Sequence, residues 1–394
     1  MRSGTFSPDV ADALHQPESI QIQAEIGQNS WQFQFLRLAG FRNYSSRSID
    51  LHARIVAVVG PNGTGKTNLI EALHVLCTAR GFAPDREALG HDAPFFLVEG
   101  RLGEGGPIAE VSCGYWPGRG KKLICDRRPL PRLSDHLGQL PVVAILPDDT
   151  DVVRGGAKAR RHWLDSLLVQ FDRTYLAALM RYERALMQRN ALLYAGAAGE
   201  PLDKALLDLY DSQLAESGSC LIATRKAFLE AFQPVFRQRH RQIVQLQETP
   251  TLLYEPNWPA AETLAEGVFR SRNADLKAGR SLCGPHRDEL RFELDGQPVR
   301  KFGSQGQVKS WIIALRLAQY AWFVHHTGRS PLLLLDDLFD KLDEHRMQAI
   351  GCLLREEVAG QIFVTDTSAQ RLAQVWKQAG LHGVQWIDSN ELNP

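Results

Sequence analysis

From Trp31 the apolar positions alternate through Trp31, Phe33 and Phe35 and run on into Leu36 and Leu38, which predicts a strand with one covered face. A turn through Asn43, Tyr44, Ser45 and Ser46 leads to a second short strand at Ser48–Leu51. The unbroken run Ile55-Val56-Ala57-Val58-Val59 then reads as a strand buried on both faces. Between Asp165 and about Ala274 the period changes. Tyr175, Leu179, Tyr182, Leu186 and Leu193 fall at three-, four- and seven-residue spacings, and Leu207, Leu214, Leu221 and Phe228 recur every seven, the pattern of long helices packed as a hairpin. Short apolar runs return at Leu290–Leu294, Leu332–Leu335 and Gln361–Val364, with helices between them. The pattern predicts an α/β core interrupted by a mainly helical lobe: core residues 31–150, helical lobe 151–280, core again 281–394. Residues 1–30 read as an extension in which Ile20, Ile22, Ala24 and Ile26 alternate as in an edge strand.

With 394 residues, 44% of them apolar and 23% charged, the chain has enough apolar surface for one large core or two modest ones. No apolar run approaches the length of a membrane span or a signal peptide, so a cytoplasmic protein is expected. Six scattered cysteines without a C-x-x-C pair indicate neither zinc nor a disulfide framework. A net charge of zero means that contact with nucleic acid has to come from local patches. Two clusters qualify, and each also reads as an ordinary solvated loop: Arg119, Lys121, Lys122, Arg127, Arg128 and Arg132, and Arg154, Lys158, Arg160 and Arg161.

The strongest chemical signal is Gly60-Pro61-Asn62-Gly63-Thr64-Gly65-Lys66-Thr67, a G-x-x-x-x-G-K-[ST] loop that follows a predicted strand and opens a predicted helix. Glycines allow successive N–H groups to face phosphate oxygens, and the helix adds its positive dipole end. Lys66 is placed to reach the β- and γ-phosphates of ATP and Thr67 to ligate Mg²⁺. Leu332-Leu333-Leu334-Leu335-Asp336-Asp337 supplies the second signal, a buried strand ending in paired carboxylates. Alone it is a polar strand exit; with the phosphate loop it reads as a Walker B element, with Asp336 on the metal and Asp337 acting on the attacking water. The third is Ser304-Gln305-Gly306-Gln307 ahead of a helix, which reads either as a helix cap or as an ABC-type signature contacting nucleotide held by a second copy.

The order of Phe41-Arg42-Asn43-Tyr44, GPNGTGKTNLIEAL (60–73), Leu146-Pro147-Asp148-Asp149, Arg160-Arg161-His162-Trp163-Leu164-Asp165, the run from Arg181 to Asn190, Gly284-Pro285-His286-Arg287-Asp288, SQGQ (304–307) and LLLLDDLFDKLD (332–343) resembles the RecF family. The resemblance spans about Phe33 to Leu372. It implies an ABC/SMC-like ATPase head with a helical second lobe, and a homodimer formed on ATP binding. It further implies DNA binding at single-strand gaps, cooperation with RecO and RecR in loading RecA, and a part in SOS induction. On this likeness Lys66, Thr67 and Asp336 contact phosphate and Mg²⁺, Asp337 is catalytic, Ser304 and Gln307 act across the dimer, and Asp343 faces the partner. Thr365 and Asp366 stand where transporter ATPases place a histidine and are candidates for a weaker γ-phosphate sensor. Gln139 and the Pro147-Asp148-Asp149 turn are weak candidates for a glutamine loop.

Competing classes fit less well. A transporter subunit would carry Asp-Glu in place of Asp336-Asp337, a histidine switch, and a shorter chain between the two Walker motifs. A Rad50-like protein would need a long coiled coil with a C-x-x-C hook. A nuclease would need a further metal cluster, and His325-His326 fits a helix end better. The expected activity is weak, DNA-stimulated ATP hydrolysis without nuclease action.

Overall fold

The computed structural model describes residues 31–244, 248–259, 262–340 and 342–392, so the alternating segment at 20–26 lies outside the described residues. These residues fall into two compact units, one made of 31–149, 239–244 and 309–392, the other of Thr150–Gln238 and 248–308.

The first unit is α/β. β1 (Phe33–Phe41) and β2 (Tyr44–Asp50) form an antiparallel pair whose register runs from Phe35↔Asp50 to Phe41↔Tyr44. They turn at Arg42, whose φ of 54° is unusual for a residue with a side chain. β4 (Phe96–Leu102), β5 (Glu110–Trp116), β6 (Gly120–Cys125) and β7 (Arg128–Pro129) extend the sheet in the order β2-β1-β4-β5-β6-β7. A second sheet, all parallel, has the order β14-β3-β13-β12-β8, built from β3 (Ile55–Val59), β8 (Val142–Ile145), β12 (Leu332–Leu335), β13 (Ile362–Asp366) and β14 (Val384–Asp388). β12 and β13 are buried at every position and β3 at all but its last, as expected for a parallel sheet covered on both faces.

Helix α1 (Lys66–Thr78) shares one apolar cluster with both sheets: Leu69, Leu73 and Leu76 are fully buried along with Phe33, Leu36 and Phe96 of one sheet and Val56, Leu334 and Phe363 of the other. Gln361 ties the sheets covalently distant in sequence, accepting from the Phe33 N–H at 2.9 Å and donating to the Phe33 carbonyl at 3.0 Å. The remaining helices of the unit include α8 (Gln305–Thr327) from Lys309 onward, α9 (Glu344–Glu357), α10 (Ala369–Ala379) and α11 (Ser389–Leu392).

The second unit is mainly helical: α2 (Thr150–Arg154), α3 (Ala157–Leu168), α4 (Arg173–Ala197), α5 (Lys204–Val244) up to Gln238, α6 (Leu264–Ala278) and α7 (Val299–Phe302). Leu207, Leu214, Leu221 and Phe228, the heptad positions, are all buried. Asp172 caps α4 by accepting from the Tyr175 N–H, and Thr263 with Glu266 forms a reciprocal capping box on α6. An Arg189 guanidinium, 1% exposed, donates to Asp211 at 2.5 Å and to Asp275 and Ser281 at 2.7 and 2.8 Å, joining α4, α5 and α6.

This unit also holds a three-stranded sheet, β11-β10-β9, from β9 (Pro250–Glu255), β10 (Glu289–Leu294) and β11 (Gln297–Pro298). β9 falls inside the stretch read as helical. The segment from 281 to 308, expected with the second part of the α/β core, clusters here because β10 pairs with β9 over six positions.

Candidate functional site

The phosphate loop forms because β3 ends at Val59 and the chain must reverse over a few residues into α1. Gly60, Gly63 and Gly65 take φ values of 149°, 82° and 103°, a conformation that side chains disfavour. At Gly65 there is also no room: a Cβ would lie 2.5 Å from the Asn43 side chain. Asn43 donates to the Thr64 carbonyl at 3.3 Å and accepts from Asn68 at 2.7 Å, while the Tyr44 hydroxyl donates to the Gly65 carbonyl at 3.1 Å. The turn between β1 and β2 thus braces the loop from one side. Ser389 braces it from another, with the Thr64 hydroxyl donating to it at 2.7 Å. Arg42 makes a two-pronged contact to Glu71 of α1 at 2.7 and 2.9 Å, and Glu71 is 1% exposed.

Lys66, 4% exposed, donates to the carbonyls of Gly60 and Pro61, both at 2.8 Å. At the next position the Thr67 hydroxyl donates to Asp336 Oδ2 at 2.7 Å, although the two residues are far apart in the chain. They meet because β12 and β3 are parallel strands flanking β13, so their C-terminal ends lie side by side. β13 supplies Thr365, which is fully buried: its hydroxyl donates to Asp336 Oδ1 at 2.5 Å and accepts from the Asp337 N–H at 3.0 Å.

Asp337 sits at φ 45°, and its Oδ1 is buried without a hydrogen-bond partner. Burial, and then the neighbouring Asp336 carboxylate, push its carboxyl above the usual range. The oxygen donors of Thr67 and Asp336, side by side at the head of the loop, suit a hard divalent cation such as Mg²⁺. Among the described residues no group of three or more His, Cys, Asp or Glu side chains is placed to hold a metal.

Other residues singled out in the sequence find different settings. Asp366 is fully buried and takes a two-pronged contact from Arg371 at 2.6 and 3.2 Å, so it is an internal ion pair and not a free sensor. Asp149 is held by Arg316 at 2.7 and 3.1 Å, and Gln139 donates to the nearby Asp135 carbonyl. Asp343 caps α9, accepting from the Arg346 N–H at 2.9 Å. Ser304 and Gln307 form a reciprocal cap on α8, the Gln307 N–H donating to the Ser304 hydroxyl at 3.2 Å and the Ser304 N–H to the Gln307 amide at 2.9 Å. Ser304 and Gln305 remain exposed.

The basic clusters divide. Arg160 is 4% exposed, paired with Glu289 at 2.8 Å, and Arg161 donates to the Asp288 carbonyl, so half of the second cluster is internal. In the first, Lys121 is tied to Asp85, while Arg119, Lys122, Arg127, Arg128 and Arg132 are exposed on and around β6 and β7 at the end of the antiparallel sheet, Arg127 with a surface pairing to Glu110. Two contributors went unread in the sequence: Ser389, which carries no motif, and Glu71, whose burial on an otherwise apolar helix face offers the only hint.

The AAA domain family matches residues 36–105, which contain the phosphate loop. The chain is 36% identical to the DNA replication and repair protein RecF of Flavobacterium johnsoniae, over 87% of this chain and 96% of that one. It is 38% identical to the RecF of Salinibacter ruber, over 84% of each. Among solved structures it superposes on the recombination mediator protein RecF with ATP, of the RecFOR pathway, with a TM-score of 0.80 and 26% identity over 88% of this chain and 95% of that one. The same mediator with ATPrS gives 0.79 over 92% and 97%. With a phosphate loop, a Walker B strand and these relatives in agreement, the chain, built on an ABC-type P-loop ATPase fold with a helical insertion, belongs to the RecF family of DNA replication and repair proteins.

Proposed function

We propose that this chain is an ATP-operated switch that closes on DNA as a dimer. The observation that carries the reading is the convergence of Thr67, Asp336, Asp337 and Thr365 at the head of the phosphate loop. ATP would lie with its phosphates against the backbone amides of Gly63, Thr64, Gly65, Lys66 and Thr67, with Pro61 and Asn62 forming the rim of the loop. Lys66 would exchange the carbonyls of Gly60 and Pro61 for phosphate oxygens. Thr67 and Asp336 would hold Mg²⁺, which neutralises phosphate charge when bound. Asp337, with one carboxylate oxygen unpartnered, would orient the attacking water and accept its proton. An aspartate here is one methylene shorter than glutamate, which favours slow turnover; stimulation by DNA is part of the proposal.

Ser304 and Gln305 are exposed, and with Gly306 and Gln307 they would face the γ-phosphate held by a second copy; Asp343 would likewise face the partner. Dimerisation would then be a consequence of ATP binding in both loops. DNA would be held mainly through phosphates by exposed basic residues such as Lys122 and Arg128, with single-strand gaps as the preferred structure. Solved relatives are named for the RecFOR pathway, which supports cooperation with RecO and RecR in loading RecA, and with it a part in replication-fork recovery and SOS induction. No nuclease action is expected. No helix among the described residues is long and apolar enough to cross a membrane.

Fluorescence anisotropy of a labelled gapped duplex tests the DNA half of the proposal. Affinity should be higher with ATP and Mg²⁺ than with ADP, and should fall steeply as salt rises. Equal affinity with both nucleotides would contradict a switch, and a flat salt response would contradict phosphate-dominated binding.

A further inference from the structure

Thr365 stands alone among the buried hydroxyls of the site in bonding to both Walker B residues at once. It lies on β13, the strand between β3 and β12, and neither the phosphate loop nor the carboxylate pair would direct attention to it. One hydrogen and one lone pair are both committed. The hydrogen goes to Asp336 Oδ1 at 2.5 Å, and the lone pair takes the Asp337 N–H at 3.0 Å. Thr67 occupies the other Asp336 oxygen at 2.7 Å, so the three hydroxyl and carboxylate groups form one chain, Thr67 to Asp336 to Thr365, that ends on the Asp337 backbone.

That last contact has a specific consequence. Asp337 lies at φ 45°, a left-handed conformation that is uncommon outside glycine although aspartate tolerates it better than most residues. The Thr365 hydroxyl partners the Asp337 N–H in that conformation, and removing it leaves a donor without a partner at the turn that aims the carboxylate. Deleting it also frees one Asp336 oxygen from its only fixed hydrogen bond on that side, so the carboxylate can rotate away from Thr67.

We infer that Thr365 is a positioning residue for nucleotide hydrolysis: its hydroxyl orients the Asp336 carboxylate toward the cation and holds Asp337 in the backbone conformation that presents its carboxylate to water. The inference rests on the reading of this site as an ATPase. It places no contact between Thr365 and nucleotide, so nucleotide affinity should survive its loss while cation affinity and turnover do not. Polar groups behind a metal ligand change affinity or activity by about 10- to 100-fold when removed, which sets the expected scale.

The test compares the full-length wild type with Thr365→Val, Thr365→Ala and Thr365→Ser. Valine keeps the shape without the hydroxyl, serine keeps the hydroxyl, and alanine replaces valine if valine prevents folding. Three quantities are read: binding of a fluorescent ATP analogue without divalent cation, uptake of Mn²⁺ in the presence of ADP by its paramagnetic signal, and steady-state ATP hydrolysis with kcat and KM separated. For valine or alanine the inference expects nucleotide affinity within about threefold of wild type, and Mn²⁺ affinity and kcat each lower by about tenfold or more, with serine recovering most of both. Wild-type kcat and Mn²⁺ affinity in the valine variant would overturn it, as would a serine variant as impaired as valine, since the methyl packing would then be what matters. A wild type that binds nucleotide but never hydrolyses it would instead sink the ATPase reading.

Discussion

Asp337 concentrates three unusual properties in one side chain: left-handed backbone, a buried oxygen without a hydrogen-bond partner, and a carboxyl pushed up by burial and by Asp336. Strain of this kind persists where the surrounding structure enforces it, here through Thr365 and the Walker B strand. Replacing the carboxylate proposed to act on the attacking water with an amide of the same shape keeps the site intact and, on that reading, removes the proton acceptor. Asp337→Asn should therefore bind ATP normally and lose about 10²- to 10⁴-fold in kcat, measured by phosphate release at saturating ATP and Mg²⁺. Gly65 makes the complementary argument about backbone. With φ at 103° and the Asn43 side chain 2.5 Å from where a Cβ would stand, Gly65→Ala has to displace Asn43 and with it the Thr64 carbonyl. Its expected signature is loss of nucleotide binding by calorimetry together with a lowered melting temperature of the nucleotide-free protein; undiminished ATP affinity would count against the loop geometry described.

At the scale of elements, the helical unit is held by internal ion pairs more than by any motif. Arg189 serves Asp211 and Asp275, both nearly inaccessible; Asp211 keeps a second partner in Arg272, but Arg189→Ala strands the buried Asp275 carboxylate and should lower unfolding free energy by about 3–5 kcal/mol in chemical denaturation. His286 is a second internal device. Its ring is bonded to the Tyr182 hydroxyl at 2.6 Å, and burial lowers its pKa to about 4, with backbone and neighbouring charges contributing less. The unfolded chain takes up a proton near pH 6.5 while the folded one does not until about 4, so stability is full above 6.5 and is lost as pH falls between the two values. That window corresponds to roughly 3 kcal/mol at most, and His286→Gln should flatten the pH dependence of the melting temperature within it.

These elements also show what was legible in the sequence. The buried strands Ile55–Val59 and Leu332–Leu335 were readable because a parallel strand covered on both faces is apolar at every position. The heptad leucines gave the helices for the same reason. β4 was not read although Phe96, Val98 and Leu102 alternate, because Gly100 takes a core position and Leu97 an outward one, which blurs the period. β9 was absorbed into the helical stretch because it opens with Pro250, and its partner β10 lies more than thirty residues on. In the site, Lys66, Thr67, Asp336 and Asp337 were legible from spacing and strand context alone. Thr365 was visible as a candidate γ-phosphate sensor at a strand end, but its bonds to Asp336 and Asp337 were not, since they depend on which strand lies between β3 and β12. The internal fate of Arg160 and Arg161 was equally unreadable, because a run of arginines looks the same whether it meets solvent or Glu289.

For the whole molecule, a formally neutral chain has to gather charge locally before it can hold DNA, and the exposed basic residues at the β6–β7 edge are a small set. Bringing two copies together doubles that set, which is the physical reason to tie DNA retention to ATP-driven dimerisation. The exposed Ser304 cap fits this, since a helix N-terminus with a free surface presents N–H groups to an anion supplied by another subunit. The measurement that tests this most directly is the mass of the full-length protein by light scattering with ADP, and with ATP and Mg²⁺, each with and without a gapped duplex. The account predicts a monomer with ADP and a doubled mass with ATP that retains the duplex. A mass indifferent to nucleotide would contradict the switch while leaving the phosphate site in place.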